Sequence, residues 1–154
     1  MDGRRVSESR FELARVMLPQ DTNPYGSVHG GVLMREIDVA AAVTAIRHCR
    51  RNAVTASIDR LDFLRPVRVG ELVVCKASVN GVGRSSLECG VRMEAEDMIS
   101  GQRFHVASAY LTFVCLDENG QPAAVPPLLP DSDEDTRRMR EAAARRAARK
   151  ARVE

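Results

Sequence analysis

The sequence predicts an α+β domain in which one long helix packs on an antiparallel sheet of about five strands. Three observations predict it: an unbroken helical stretch from Gly30 to about Arg50, four strand-like runs beyond Asn52 separated by turn signals, and a short strand before the helix.

In chain order, Phe11 to Leu18 reads as a strand stopped by Pro19, and Asp21 to Ser27 is dense in turn formers and reads as a loop. The helix follows, with Val32, Leu33, Met34, Ile37, Ala40 to Ala42, Val43, Ala45 and Ile46 and no proline. Beyond Asn52, β-branched and apolar residues alternate with polar ones. Val54 to Phe63 ends at Pro66, Glu71 to Val79 ends at the hairpin signal Asn80-Gly81, Ser85 to Glu96 ends near Ser100-Gly101, and Phe104 to Leu116 ends at Asn119-Gly120. The last strand is apolar on both alternating sets, so both faces should be covered: one by the helix, the other by a partner chain. Ala123 to Pro130 is Pro-rich and extended. This gives one domain over residues 1–130 and a charged helical tail over residues 131–154. The tail carries acids first (Asp133, Glu134, Asp135) and basics later (Arg145, Arg146, Arg149, Lys150, Arg152), an order that suits the helix dipole. It lacks an apolar stripe, which predicts a solvated helix.

Composition sets the outer limits. A chain of 154 residues with 44% apolar and 29% charged residues can build a single real core, against disorder or a disulfide-stapled miniprotein. The net charge of +2 gives no bulk attraction to nucleic acid. The longest uncharged apolar-rich run, Val106 to Leu116, is too short to span a membrane, and the start has no secretory apolar stretch. A cytoplasmic protein without membrane or nucleic-acid partners is expected. Cys49, Cys75, Cys89 and Cys115 form no C-x-x-C pair and read as reduced, packed thiols rather than metal ligands.

Three features could carry chemistry. Asp38 shares its helical face with Gly31, Met34, Ala41, Ala42, Ala45 and Cys49, while Glu36 and Arg47 lie opposite. A carboxylate in a small, apolar stripe is either satisfied structurally or poised for function. Second, Asn23-Pro24-Tyr25-Gly26-Ser27-Val28-His29-Gly30-Gly31 runs directly into the helix start, where tandem glycines bare amides that have no intrahelical partner, a ready oxyanion site. His29 is expected to hold this loop rather than act as a base, and His48 and His105 to be structural or surface residues. Third, Gly81-Val82-Gly83-Arg84-Ser85-Ser86 is half of a dinucleotide fingerprint, but a strand follows where a helix is needed. Its amides, Arg84 and two hydroxyls could still bind phosphate, although hairpin geometry explains the glycines equally well. The chain has no G-x-S-x-G elbow, H-E-x-x-H or Walker loop, which argues against serine hydrolase, zinc hydrolase and NTPase chemistry.

These strings together, Asn23-x-x-Gly26-x-Val28-His29-Gly30-Gly31-Val32-x-Met34-x-x-x-Asp38, Val54-Thr55-Ala56-Ser57-Ile58-Asp59, Phe63-Leu64-Arg65-Pro66-Val67 and Gly83-Arg84-Ser85-Ser86, resemble the hotdog-fold acyl-CoA thioesterases of the cytosolic acyl-CoA hydrolase type. The resemblance runs from about Phe11 to Pro130. It implies a long helix wrapped by an antiparallel sheet, and two such units paired side by side into a homodimer with shared active sites, commonly a hexamer as a trimer of dimers. It implies acyl-CoA as substrate and no further cofactor. Asn23 falls on the family's loop asparagine and Asp38 on its helix carboxylate. The implied chemistry is thioester hydrolysis, with Asp38 as general base or nucleophile, Asn23 orienting the reacting groups, and amides near His29, Gly30 and Gly31 polarising the carbonyl. Gly83, Arg84, Ser85 and Ser86, with Arg92, are implied to contact CoA. The alternative is a non-catalytic acyl-CoA-binding module of the same fold; a hotdog dehydratase would need a histidine acid or base, for which His29 is the candidate.

Overall fold

The computed structural model describes residues 1–153. A short strand β1 (Arg4–Arg5) and a single helical turn α1 (Val6–Ser9) precede β2 (Phe11–Val16). The central helix α2 (Gly30–Cys49) follows a short 3-10 turn and the loop after it. Then come β3 (Asn52–Phe63), β4 (Leu72–Val82), β5 (Ser86–Glu96) and β6 (Arg103–Leu116), a short β7 (Leu128–Leu129) that pairs with β1, and a C-terminal helix α3 (Asp133–Val153). The main sheet is antiparallel throughout, in the order β2-β4-β5-β6-β3. This is the expected hotdog arrangement, with five strands around one helix.

The sheet can wrap α2 closely because the helix presents Ala40, Ala41 and Ala45, all fully buried, together with Leu33 and Ile37. Small side chains let the helix axis approach the strands, and alternate strand residues (Cys75, Cys89, Val91, Met93, Leu111, Phe113) complete the core. All four cysteines are buried free thiols, and burial pushes the Cys75 thiol up to about 12. No helix among the described residues is long and apolar enough to cross a membrane.

Two edges close the sheet. On one side β2 offers six residues; on the other, β3 offers twelve, interrupted by irregularities between Thr55 and Ser57 and between Asp59 and Asp62. Arg60 in the second of these sits in the left-handed region at φ 42°.

The structure corrects two expectations. The β4–β5 turn lies at Gly83–Ser85, because Asn80 and Gly81 stay inside β4 around a register shift that folds the Asn80 side chain inward, where Nδ2 donates to Glu88 Oε2 at 3.1 Å. The tail is not a solvated helix: α3 packs on the outer face of the sheet, chiefly against β4, with Ala142 and Asp135 buried. Arg145 grips the buried Glu88 through two bonds of 2.9 and 2.8 Å while its guanidinium stacks 3.7 Å from the Tyr110 ring centroid. His48 takes the structural of its two expected roles: it is completely buried, its Nε2–H donating to the Pro126 carbonyl at 2.8 Å.

Candidate active site

The buried arc of α2 differs from the arc of the helical wheel. Leu33, Ile37, Ala40, Ala41, Thr44, Ala45 and His48 face the sheet, whereas Gly31 and Met34 are exposed and Asp38 is half-buried at the margin. Glu36 is drawn inside instead of facing away, because Arg15 on β2 meets it at 3.0 Å. A wheel weighs only residue types; a curved sheet also brings a cation to one flank of the helix. Glu36 is thereby occupied, and Asp38 is the carboxylate left at the surface of the helix.

Among the described residues Asp38 has one hydrogen-bond partner. Thr55, on edge strand β3, donates from Oγ1 to Asp38 Oδ1 at 2.7 Å. The strand irregularity immediately after Thr55 is a natural place to aim a side chain. The other carboxylate oxygen makes no hydrogen bond with the described residues. In the sequence Thr55 sits within Val54-Thr55-Ala56-Ser57-Ile58-Asp59 with nothing to mark it for a role.

The loop before α2 is built from its own polar groups. Asp21 anchors it, accepting from the Leu18 N–H at 2.8 Å and from Arg15 at 3.1 and 3.3 Å. The Leu18 amide and then Arg15 hold the Asp21 carboxyl below the usual carboxylate range. Asn23 Oδ1 accepts from the N–H groups of Tyr25 (2.9 Å) and Ser27 (3.2 Å), an Asx turn that uses up the amide oxygen and leaves Nδ2 as a donor. Gly26 makes the bend at φ 82°.

His29 caps α2 through its backbone: its carbonyl accepts from Val32 and Leu33, and its N–H donates to the Asp21 carbonyl at 3.0 Å. Its ring is exposed and makes no hydrogen bond with the described residues, so the loop-holding role falls to its main chain and not its side chain. Gly30 and Gly31 are exposed; a Cβ on Gly31 would meet nothing within 4 Å, and the Gly30 and Gly31 amides donate to no described residue. Within one protomer, no hydrogen bond among the described residues joins Asn23 to Asp38.

The structure keeps Gly83, Arg84, Ser85 and Ser86 together in the β4–β5 turn, tied by Gly83 N–H to the Ser86 carbonyl at 2.7 Å and by Val125 N–H to the Arg84 carbonyl at 3.0 Å. Arg84 is exposed and has no ion pair with any described residue. Arg92 is not brought to this turn. It lies six residues beyond Ser86 on β5, roughly 20 Å along the strand, with Nε on Glu94 at 3.3 Å.

The pattern of the thioesterase superfamily matches residues 25–101. An uncharacterized acyl-CoA thioester hydrolase of Bacillus subtilis is 41% identical over 132 residues, covering 86% of this chain and 77% of its own. The chain belongs to the thioesterase superfamily. It spans 36% of the length of the cytosolic acyl coenzyme A thioester hydrolase of Rattus norvegicus, to which it is 35% identical over 88% of its own length.

Among solved structures, this superfamily member superposes on the Staphylococcus aureus acyl-CoA hydrolase in complex with butyryl coenzyme A with a TM-score of 0.90 at 39% identity, covering 97% of this chain and 92% of that one. An apo-hexameric acyl-CoA thioesterase gives a TM-score of 0.94 at 37% identity, covering 99% and 98%. Alanine variants of the staphylococcal enzyme have been solved at an asparagine, at an aspartate 15 residues further on, and at a threonine 17 beyond that. Asn23, Asp38 and Thr55 have the same identities and spacings here.

Proposed function

We propose that this protein hydrolyses acyl-CoA thioesters to the free acid and CoA. The observation that carries the reading is the Thr55–Asp38 pair: a half-buried carboxylate with one oxygen fixed by a hydroxyl and the other open, at the rim of an otherwise apolar helix face.

In the proposed reaction the open Asp38 oxygen takes a proton from water, which attacks the thioester carbonyl, or attacks that carbon itself to give an anhydride that water then opens. Thr55 holds the carboxylate in one orientation. The carbonyl oxygen gathers negative charge in either route, and the amides of Gly30 and Gly31 with the positive end of α2 are placed to stabilise it. Asn23, its oxygen already engaged, offers Nδ2–H to the carbonyl or to water. Thiolate leaves and is protonated as CoA. No cofactor enters this scheme, and CoA is part of the substrate.

We further propose that the site is shared across a homodimer formed along β3, with hexamers as trimers of dimers. Supporting this, β3 has an unpaired edge and carries exposed Val54, Ile58 and Phe63, beside exposed Met34, Val39 and Ile46 on α2. A long apolar edge strand is a template for pairing with another chain. The hexameric state named for a structural neighbour agrees with the assembly, and the cytosolic name of the mammalian relatives with a cytoplasmic location.

The test is thiol release from short, medium and long acyl-CoA, with Asp38→Asn alongside. Turnover by the wild type and a loss of about 10²-fold or more in kcat for the variant are expected, the scale of a lost general base. Stoichiometric acyl-CoA binding without thiol release would favour the non-catalytic module instead.

A further inference from the structure

A groove of about 420 Å³ separates α3 from the outer face of the sheet beside the Gly83 turn. Val82, Met139, Ala142 and Ala147 make its wall apolar, and Arg146 and Lys150 stand on its helix side. These two cations are one helical turn apart on one face. Their neighbours Arg145 and Arg149 are neutralised by Glu88 and Asp59. Arg146 and Lys150 form no ion pair or side-chain hydrogen bond with any described residue. Arg146 is nonetheless half-buried, and its guanidinium lies so close to Gly83 that a Cβ there would come 2.4 Å from Cζ. The guanidinium thus stands against the Gly83 turn as a charge that no described carboxylate neutralises, and an anion in the groove would complete the site. Arg84, exposed and also unpaired among the described residues, follows Gly83 directly.

We infer that Arg146 and Lys150 of the C-terminal helix, with the Gly83–Ser86 turn, bind the phosphates of a nucleotide, namely the 3′-phosphorylated ADP end of CoA. The assignment to CoA rests on the acyl-CoA hydrolase reading. Two unpaired cations a turn apart suit a dianionic phosphate better than a single carboxylate. The low wall of alanines leaves room for a flat base. The tail thus supplies binding groups to the substrate and is not only a cover for the sheet.

The probe is adenosine 3′,5′-bisphosphate, measured by calorimetry on the full chain and as an inhibitor of turnover. Competitive inhibition against acyl-CoA is expected, with affinity weakened about tenfold in Arg146→Ala/Lys150→Ala. The same variant should raise KM for acyl-CoA about tenfold, keep kcat within about twofold, and leave an acyl-pantetheine thioester unaffected, because the contact is alike in ground and transition states. Alanine favours the helix, and circular dichroism checks that α3 persists. Arg137→Ala, a cation paired with Glu134 and Glu141 on the exposed side, should change nothing. Unaltered bisphosphate affinity and KM in the double variant would overturn the inference, and so would bisphosphate binding that is non-competitive with acyl-CoA, which would mark a separate nucleotide site. Calorimetry is independent of turnover. A wild type that hydrolyses nothing, yet loses bisphosphate binding with the two substitutions, would support this groove and overturn only the hydrolase reading.

Discussion

Thr55 on the edge strand and Asp38 on the central helix are joined by a hydrogen bond of 2.7 Å, so the carboxylate that faces the proposed substrate is aimed by the strand that faces the proposed partner. The proposed chemistry and the proposed assembly therefore depend on the same short stretch of β3.

If Thr55 positions the carboxylate, Thr55→Ala should lower kcat about tenfold or more while KM changes little, since orientation matters most in the transition state. Thr55→Ser keeps the hydroxyl and should retain most of the rate. Steady-state kinetics on both variants decide the point: equal losses for Ser and Ala would assign Thr55 a packing role through its methyl group.

In the proposed dimer, Asn23 and Asp38 would serve one site from different chains. Inactive Asn23→Ala and Asp38→Ala proteins should then complement when co-expressed or refolded together. Half of randomly paired dimers are mixed, and each holds one intact site, so recovery should approach about a quarter of wild-type activity. Verified mixed dimers no more active than the separate mutants would place both residues in one chain or remove one from catalysis.

His48 should make stability depend on pH. Burial, opposed by the Pro126 hydrogen bond and aided by the nearby Arg4 charge, pushes its imidazole below the ordinary value of 6.5. The unfolded chain therefore takes up a proton as pH falls through 6.5 while the folded chain still resists it. The contribution is fully present above that pH and is lost progressively below it. Tm should fall between about pH 7 and about pH 5, and more shallowly in His48→Gln. Parallel slopes in a folded variant would assign the effect to other groups.

Arg145 and Glu88 fasten α3 to the sheet. Removing Arg145 alone leaves a buried carboxylate held only by Asn80, so Arg145→Ala should cost about 2 kcal/mol or more in urea unfolding, and Arg145→Met with Glu88→Leu should recover much of it. A single variant as costly as Arg145→Ala at the exposed Arg140 would deny the pair its special role.

The reach of the sequence differed by element. Helix α2 and strands β3 to β6 could be read because each repeats a local texture over many residues, and the short β2 because Pro19 stops its run; Asn23 and Asp38 stood out as candidates because they sit in a dense motif. Thr55 carries no periodic signal, and its partner lies 17 residues away across a packing contact that only the folded chain makes. The docking of α3 was hidden for a similar reason: Met139 and Ala142 are too modest a stripe to stand out, and the acids that receive Arg145 and Arg149 lie on distant strands. The Asn80-Gly81 turn signal was overridden when Glu88 gave the Asn80 side chain a buried partner.

The unequal edges of the sheet bear on how large an assembly can grow. If the twelve-residue edge of β3 pairs with its own copy about a two-fold axis, each dimer exposes only the six residues of β2 at either end, bearing the charged Glu12 and Arg15. Such a sheet has nowhere long or apolar left to add strands, so it ends at ten and cannot polymerise into a filament. Larger closed assemblies must then grow through helices and loops, with the hydrogen-bond ladders left out.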